Sequence, residues 1–123
     1  RNLTISRFNE MFRAAIGDSK MDSRIENIQN YVVTQDHGTL YSTLAQAEEN
    51  TAEGAKCDIR FIKSDGSVFW FRMQFYYLRC EGSKKLFFGK VEDITAQREQ
   101  SLHFFDVLRK QSDVTMCIEL VQS

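Results

Sequence analysis

Few side chains in this sequence are of a kind that performs chemistry. The histidines are His37, at the head of a polar break, and His103, on a helical stretch. No Cys-x-x-Cys or His-x-x-x-His spacing occurs, so the usual pattern of a structural zinc site is lacking. The six glycines lie at least seven residues apart, which leaves no glycine-rich loop to cradle a phosphate. Glu48, Glu49 and Glu53 cluster, but at the end of a helical pattern, where carboxylates are ordinarily solvated rather than paired for acid–base work. Cys57 falls on the apolar side of an alternating run, the position of an inert buried thiol. No nucleophile–base pair emerges, and the chain is expected not to be an enzyme. A small α+β enzyme would need a polar cluster in its interior that this sequence does not show.

What remains is binding, and the composition favours it. The 123 residues carry 16 Lys+Arg against 17 Asp+Glu, a net charge of −1. That balance, without a basic run, argues against nucleic acid or an anionic membrane as the main partner. No apolar run approaches the ~18 residues of a membrane span, and no signal peptide opens the chain. Cys57, Cys80 and Cys117 are too few and too scattered for a disulfide framework, which points to a reducing cytoplasm. Opening on Arg1 rather than Met, the sequence reads as a piece of something longer. There is no proline, and ten phenylalanines accompany Trp70 and four tyrosines. So many rings in one domain imply a bulky core, a lined pocket or a sticky outer face.

The elements that must position these rings follow from periodicity. Leu3 to Phe8 fits a short strand; Asn9 then caps a helix with Phe12, Ala15 and Ile16 on one stripe, ended by Gly17. Residues 18–24 form a polar loop, and Ile25, Ile28, Tyr31 and Val32 give a helical turn or two. After a break at Thr34–Gly38, with Asp36 as the expected cap, a helix runs from about Thr39 to Glu49 on Leu40, Leu44 and Ala47. From Ala55 the period becomes two. Ala55, Cys57, Ile59 and Phe61 alternate with polar residues, and Asp65-Gly66 signals a hairpin. The next strand, Val68 to Cys80, is apolar on both faces, and Lys85 to Glu92 makes a third strand after the Gly82 turn. Thr95 is placed to cap a helix to about Gln111 carrying Leu102, Phe105 and Leu108, and Val114–Val121 alternates again. The fold class is α+β, an antiparallel sheet with short helices packed on one face, then an exit helix and a C-terminal strand.

Residues 59–95 closely resemble the C-terminal half of a PAS domain. The matching features are Arg60, Asp65-Gly66, Trp70, Gly82, and Gly89 ahead of Asp93-Ile94-Thr95. More loosely, Ile5-Ser6-Arg7-Phe8-Asn9 with Phe12 and Gly17 looks like the family's second strand and first helix, and Thr34–His37 sits where a turn precedes a helix. The resemblance implies residues 1–95 as the sensory domain, 96–112 as the exit helix and 113–123 as a C-terminal strand. It also implies five strands, of which the first is missing ahead of Ile5. Val114–Val121 is expected to add to the sheet edge in its place, in its own chain or a neighbour's, or else to open a following PAS domain.

By the same resemblance a pocket would be lined by Phe12, Ile28, Leu40, Leu44, Phe61, Phe71, Met73 and Phe88. The outer face of Val68, Trp70, Tyr76 and Leu78 would take a second copy or a tandem PAS partner. Asp93, Ile94 and Thr95 would relay the signal to an output domain, such as a diguanylate cyclase or histidine kinase of a bacterial-type signalling protein. No cofactor is named. An Asn-Cys-Arg-like flavin motif is missing, and His37 at a loop start is no axial haem ligand. The expected function is a sensory and signal-transduction domain that binds a small ligand, a partner domain, or both. The alternative is a ligand-free structural dimerisation module.

Overall fold

Alternation with a period of two builds most of the molecule. The computed structural model describes residues 3–16, 27–62, 66–95, 98 and 116–122. Strand β1 (Leu3–Phe8) leads through Asn9 into helix α1 (Glu10–Ile16). There Asn9 Oδ1 accepts the Phe12 N–H at 3.1 Å, the expected cap. Short 3-10 turns at Ile28–Tyr31 and Thr34–Asp36 precede helix α2 (His37–Glu49). A meander follows: β2 (Ala55–Ile62), β3 (Val68–Glu81) and β4 (Lys84–Asp93). The last strand, β5, spans Met116–Gln122. Expectations for Gly17, residues 18–24, Ile25, Asp65, Val114 and the exit helix other than Thr95 and Arg98 concern residues outside those described.

All five strands join one antiparallel sheet in the order β1-β5-β4-β3-β2. Four strands thus come from the first 95 residues and the fifth from the C-terminal stretch. Its place differs from expectation: β5 does not extend an edge but lies between β1 and β4. The reason is that both of its backbone edges find partners there, one in β1 and one in β4. Met116, Ile118 and Leu120 are buried in the core, while Cys117 and Glu119 face outward between paired strands.

The helices pack on the inner face, with α2 over β2 and β3. Leu40, Leu44 and Ala47 meet Ile59, Phe71, Met73 and Phe75 there in one cluster. Gly54 makes the tight return from α2 into β2. It has a φ of +70°, and a Cβ there would sit 2.3 Å from the Phe75 carbonyl oxygen. Helix α2 begins two residues earlier than its apolar stripe implied, and Asp36 does not cap it. The Asp36 carboxylate is instead turned to β2, at the open edge of the sheet. Its Oδ2 accepts the Arg60 backbone N–H at 2.8 Å, and Val33 N–H donates to the Arg60 carbonyl at 3.0 Å. A bridge between Val32 and Phe61 covers the next position. The edge is closed where an unpaired strand would otherwise present free backbone groups.

Gly89 on β4 is paired with Ile118 on β5, and a Cβ at Gly89 would lie 2.9 Å from Ile118 Cγ1 and 3.1 Å from the Phe75 ring. The missing side chain is the space into which Ile118 packs. Gly89→Ala should therefore destabilise the fold by about 2 kcal/mol through overpacking. Thermal unfolding should read this as a fall of roughly 8 °C. In combination with Ile118→Ala the loss should be smaller than the two separate losses added together. A Gly89→Ala protein melting with the wild type would contradict this packing.

Candidate functional site

Seven of the eight residues expected to line an interior site come together. Phe12, Ile28, Leu40, Leu44, Phe61, Phe71 and Met73 are each at most 2% exposed and belong to one cluster. Their rings pack on one another: Phe71 lies 6.0 Å from Phe12 and 5.1 Å from Phe61, and meets Phe69 edge-on at 4.5 Å, all between centroids. Phe88 is the exception. It is half-buried on the outer face, 6.4 Å from the Tyr76 ring, and its neighbour Phe87 enters the core. Gly89 and Val91 set the inward parity of β4, which turns Phe87 in and Phe88 out.

Chemistry in this interior is sparse. Among the described residues the buried polar ones are Thr43 and, at the edge of β2, Asp36. The Cys57 thiol is pushed up to about 11 by burial, which keeps it protonated and unreactive near neutral pH. Among the described residues no group of three His, Cys, Asp or Glu side chains could hold a metal ion. Nor is any of their helices long and apolar enough to cross a membrane.

The outer face holds a more specific arrangement, centred on Trp70. The β2–β3 register puts Arg60 opposite Trp70 and Asp58 opposite Arg72. Arg60 grips Asp36 with both arms of its fork, Nε to Oδ2 at 3.0 Å and NH2 to Oδ1 at 2.7 Å, and its guanidinium carbon lies 5.3 Å from the Trp70 ring centroid. Arg98 approaches the same ring to 4.3 Å and donates to Asp58 Oδ2 at 2.8 Å. Arg72 Nε donates to Asp58 Oδ1 at 2.9 Å. An indole flanked by cations in this way gains cation–π attraction that an isolated apolar ring lacks. Comparison of the chain with protein-family models, curated proteins and solved structures returned no match.

The junction after β4 is tied to the same tryptophan through its backbone. Trp70 N–H donates to Thr95 Oγ1 at 2.9 Å, and Ile94 N–H donates to the Trp70 carbonyl at 3.0 Å. Thr95 stands within the first helical turn rather than ahead of it, so it is not the expected cap, and its hydroxyl accepts from β3. Asp93 takes that part: its Oδ1 accepts the Thr95 N–H at 3.0 Å, and Arg98 N–H closes the first turn on the Ile94 carbonyl at 3.0 Å. Asp93, Ile94 and Thr95 are thus brought together with Trp70. Val68 and Leu78, each 46% exposed, stand near opposite ends of β3, with Arg72 and Gln74 between them. Tyr76, half-buried, pairs with Phe88. Val68, Trp70, Tyr76 and Leu78 thus lie along β3 on either side of Arg72 and Gln74. The partners Asp36, Asp58, Arg72 and Arg98 were missed as site residues, although the hairpin register and strand alternation place Asp58, Arg60, Trp70 and Arg72 on one face.

Both aspartates are held below the usual carboxylate range, Asp36 by hydrogen bonds from Arg60 and Asp58 by those from Arg72 and then Arg98. A folded-state pKa below the unfolded one gives stability that is present above the ordinary carboxylate range and lost as pH falls through the folded value. The melting temperature should drop between about pH 5 and pH 2, and in Asp36→Asn that drop should be shallower. At pH 7 Asp36→Ala should cost about 2 kcal/mol, since the Arg60 N–H loses its acceptor. Parallel pH profiles for wild type and Asp36→Asn would contradict the assignment.

Proposed function

We propose that this chain is a sensory and relay domain of the PAS type. It takes a small, largely apolar ligand among the rings of its interior, or a partner domain on its outer face. The change passes through Asp93, Ile94 and Thr95 to an output domain such as a diguanylate cyclase or histidine kinase. One observation carries this reading: the backbone N–H and C=O of Trp70 are bound to Thr95 and Ile94. Trp70 sits in β3 between Phe69 and Phe71, whose rings form the edge-on contact inside the core. A displacement of those two rings that shifts β3 also moves the peptide units on either side of Trp70, and with them the two bonds that fix the start of the exit segment. The residue pattern from Arg60 to Asp93-Ile94-Thr95 and the five-stranded antiparallel sheet support the same reading.

A second reading, a ligand-free dimerisation module, is favoured by the direct ring-to-ring packing of Phe12, Phe61, Phe69 and Phe71. The two readings separate in one experiment, because Trp70 is the single tryptophan and its fluorescence reports the junction alone. A metabolite library is screened by thermal shift with Trp70 emission followed in parallel. A true ligand at 100 times its dissociation constant should add about 2.7 kcal/mol of stability. It should also shift the Trp70 emission, and in Thr95→Ala the emission change should shrink while the thermal gain persists. A library in which no compound moves either signal would contradict the sensory reading and leave the dimerisation module.

A further inference from the structure

Strand β5 occupies its place as a ligand occupies a site. Its two neighbours, β1 and β4, do not pair with each other, so the gap between them exists only to be filled. The gap is also selective. Ile118 enters the notch left by Gly89, where a Cβ would come within 2.9 Å of it. Glu119 Oε1 accepts the Ser6 hydroxyl at 2.6 Å, and the Cys117 carbonyl accepts the Asn9 N–H at 3.2 Å. Met116, Ile118 and Leu120 complete the core from this position. The requirement is therefore an extended segment with apolar residues at alternate positions, a branched one at the Gly89 notch and an acid beside it.

The way β5 reaches the gap matters as much as the fit. Met116 pairs with Val91, so β5 begins at the end of the sheet where β4 finishes. Neighbouring antiparallel strands can be joined by two to five residues. Here 22 residues (94–115) intervene between Asp93 and Met116. Ile94, Thr95 and Arg98 are held against β2 and β3, and the 17 residues 99–115 that remain could reach at most roughly 56 Å, more than the width of this sheet. A connection of this length closes on its own domain at little extra cost, so exchange needs a second copy concentrated enough to compete, and the length lets the strand reach that copy's gap. A second copy offers the same gap with the same Gly89, Ser6 and Asn9.

We propose that the gap between β1 and β4 is a strand-binding site that also accepts Met116–Gln122 from a second copy of this chain. Two chains then exchange β5 reciprocally, each interior being completed by the other's Met116, Ile118 and Leu120. Every native contact of the strand is kept in the exchange, and the cost is that of association alone. This dimer does not use the outer face of Val68, Trp70, Tyr76 and Leu78, and it does not depend on the sensory reading.

The test uses the full chain with Cys80→Ser and Cys117→Ser, and with Thr4→Cys and Val121→Cys at positions opposite each other in the β1–β5 register. The protein is unfolded, refolded at low and at high concentration, oxidised, and resolved on a non-reducing denaturing gel. Exchange predicts covalent dimer that rises at least tenfold with concentration and persists when Leu78→Glu is added. Crosslinked monomer alone at every concentration would overturn it, and so would a covalent dimer that vanishes with Leu78→Glu. Should the cysteine variant lack the native circular dichroism spectrum, a fluorescent peptide of residues 114–123 and the wild-type chain decide. Saturable binding, weakened at least tenfold by Ile118→Asp in the peptide, supports the site; no binding overturns it.

Discussion

The double pairing of β5 is the constraint on which the rest of the sheet depends. On one side it binds β1 from Leu3 to Phe8, and on the other β4 from Lys85 to Val91. Removing it would strand β1, which pairs with no other described strand, and would open one side of β4 along most of its length. The same strand delivers Met116, Ile118 and Leu120 to the core cluster. Backbone pairing and apolar burial thus fall on one seven-residue segment at the far end of the chain. A contact between residue 3 and residue 122 spans nearly the whole chain, and such pairings form slowly because the intervening chain must first be ordered.

The β2–β3 half of the sheet is organised differently, by charge on its outer face. Asp36 holds Arg60, Asp58 holds Arg72 and Arg98, and Arg60 and Arg98 converge on the Trp70 ring. Asp36 also closes the open edge of β2 by accepting the Arg60 N–H. One face of β3 therefore carries the packed rings of the core, and the other carries the contacts that fix the start of the exit segment. Trp70 belongs to both, through the neighbours that flank it in β3 and through its own bonds to Ile94 and Thr95. On the proposed sensory reading, this is the route by which the interior would reach the junction.

Much of this was legible in the sequence, and the failures have physical causes. The bounds of β2, β3 and β4 follow from alternation and from glycine turns, which are local signals. So do the inward set Phe69, Phe71, Met73 and Phe75 and the cap at Asn9. The Phe87-Phe88 pair could not be assigned by its own character, since both are equally apolar; the parity came from Gly89 and Val91, whose side chains say less. Asp36 and Thr95 were read as caps because each precedes a helical pattern. Both instead bind the strand that lies against them, a tertiary contact that outbids the local one and that no window of neighbouring residues contains. The placement of β5 was the hardest: alternation identifies a strand but not its partners.

Amide hydrogen exchange at single-residue resolution tests the central claim most directly. A strand paired on both sides has a partner for each of its N–H groups, whereas an edge strand offers every second one to solvent. Ile118, Glu119 and Leu120 should exchange as slowly as Phe75 and Phe87 in the middle of the sheet, and more slowly than Thr4 and Ser6 of β1. Exchange of Met116–Gln122 at the rate of an unstructured peptide, with β3 and β4 still protected, would contradict the account.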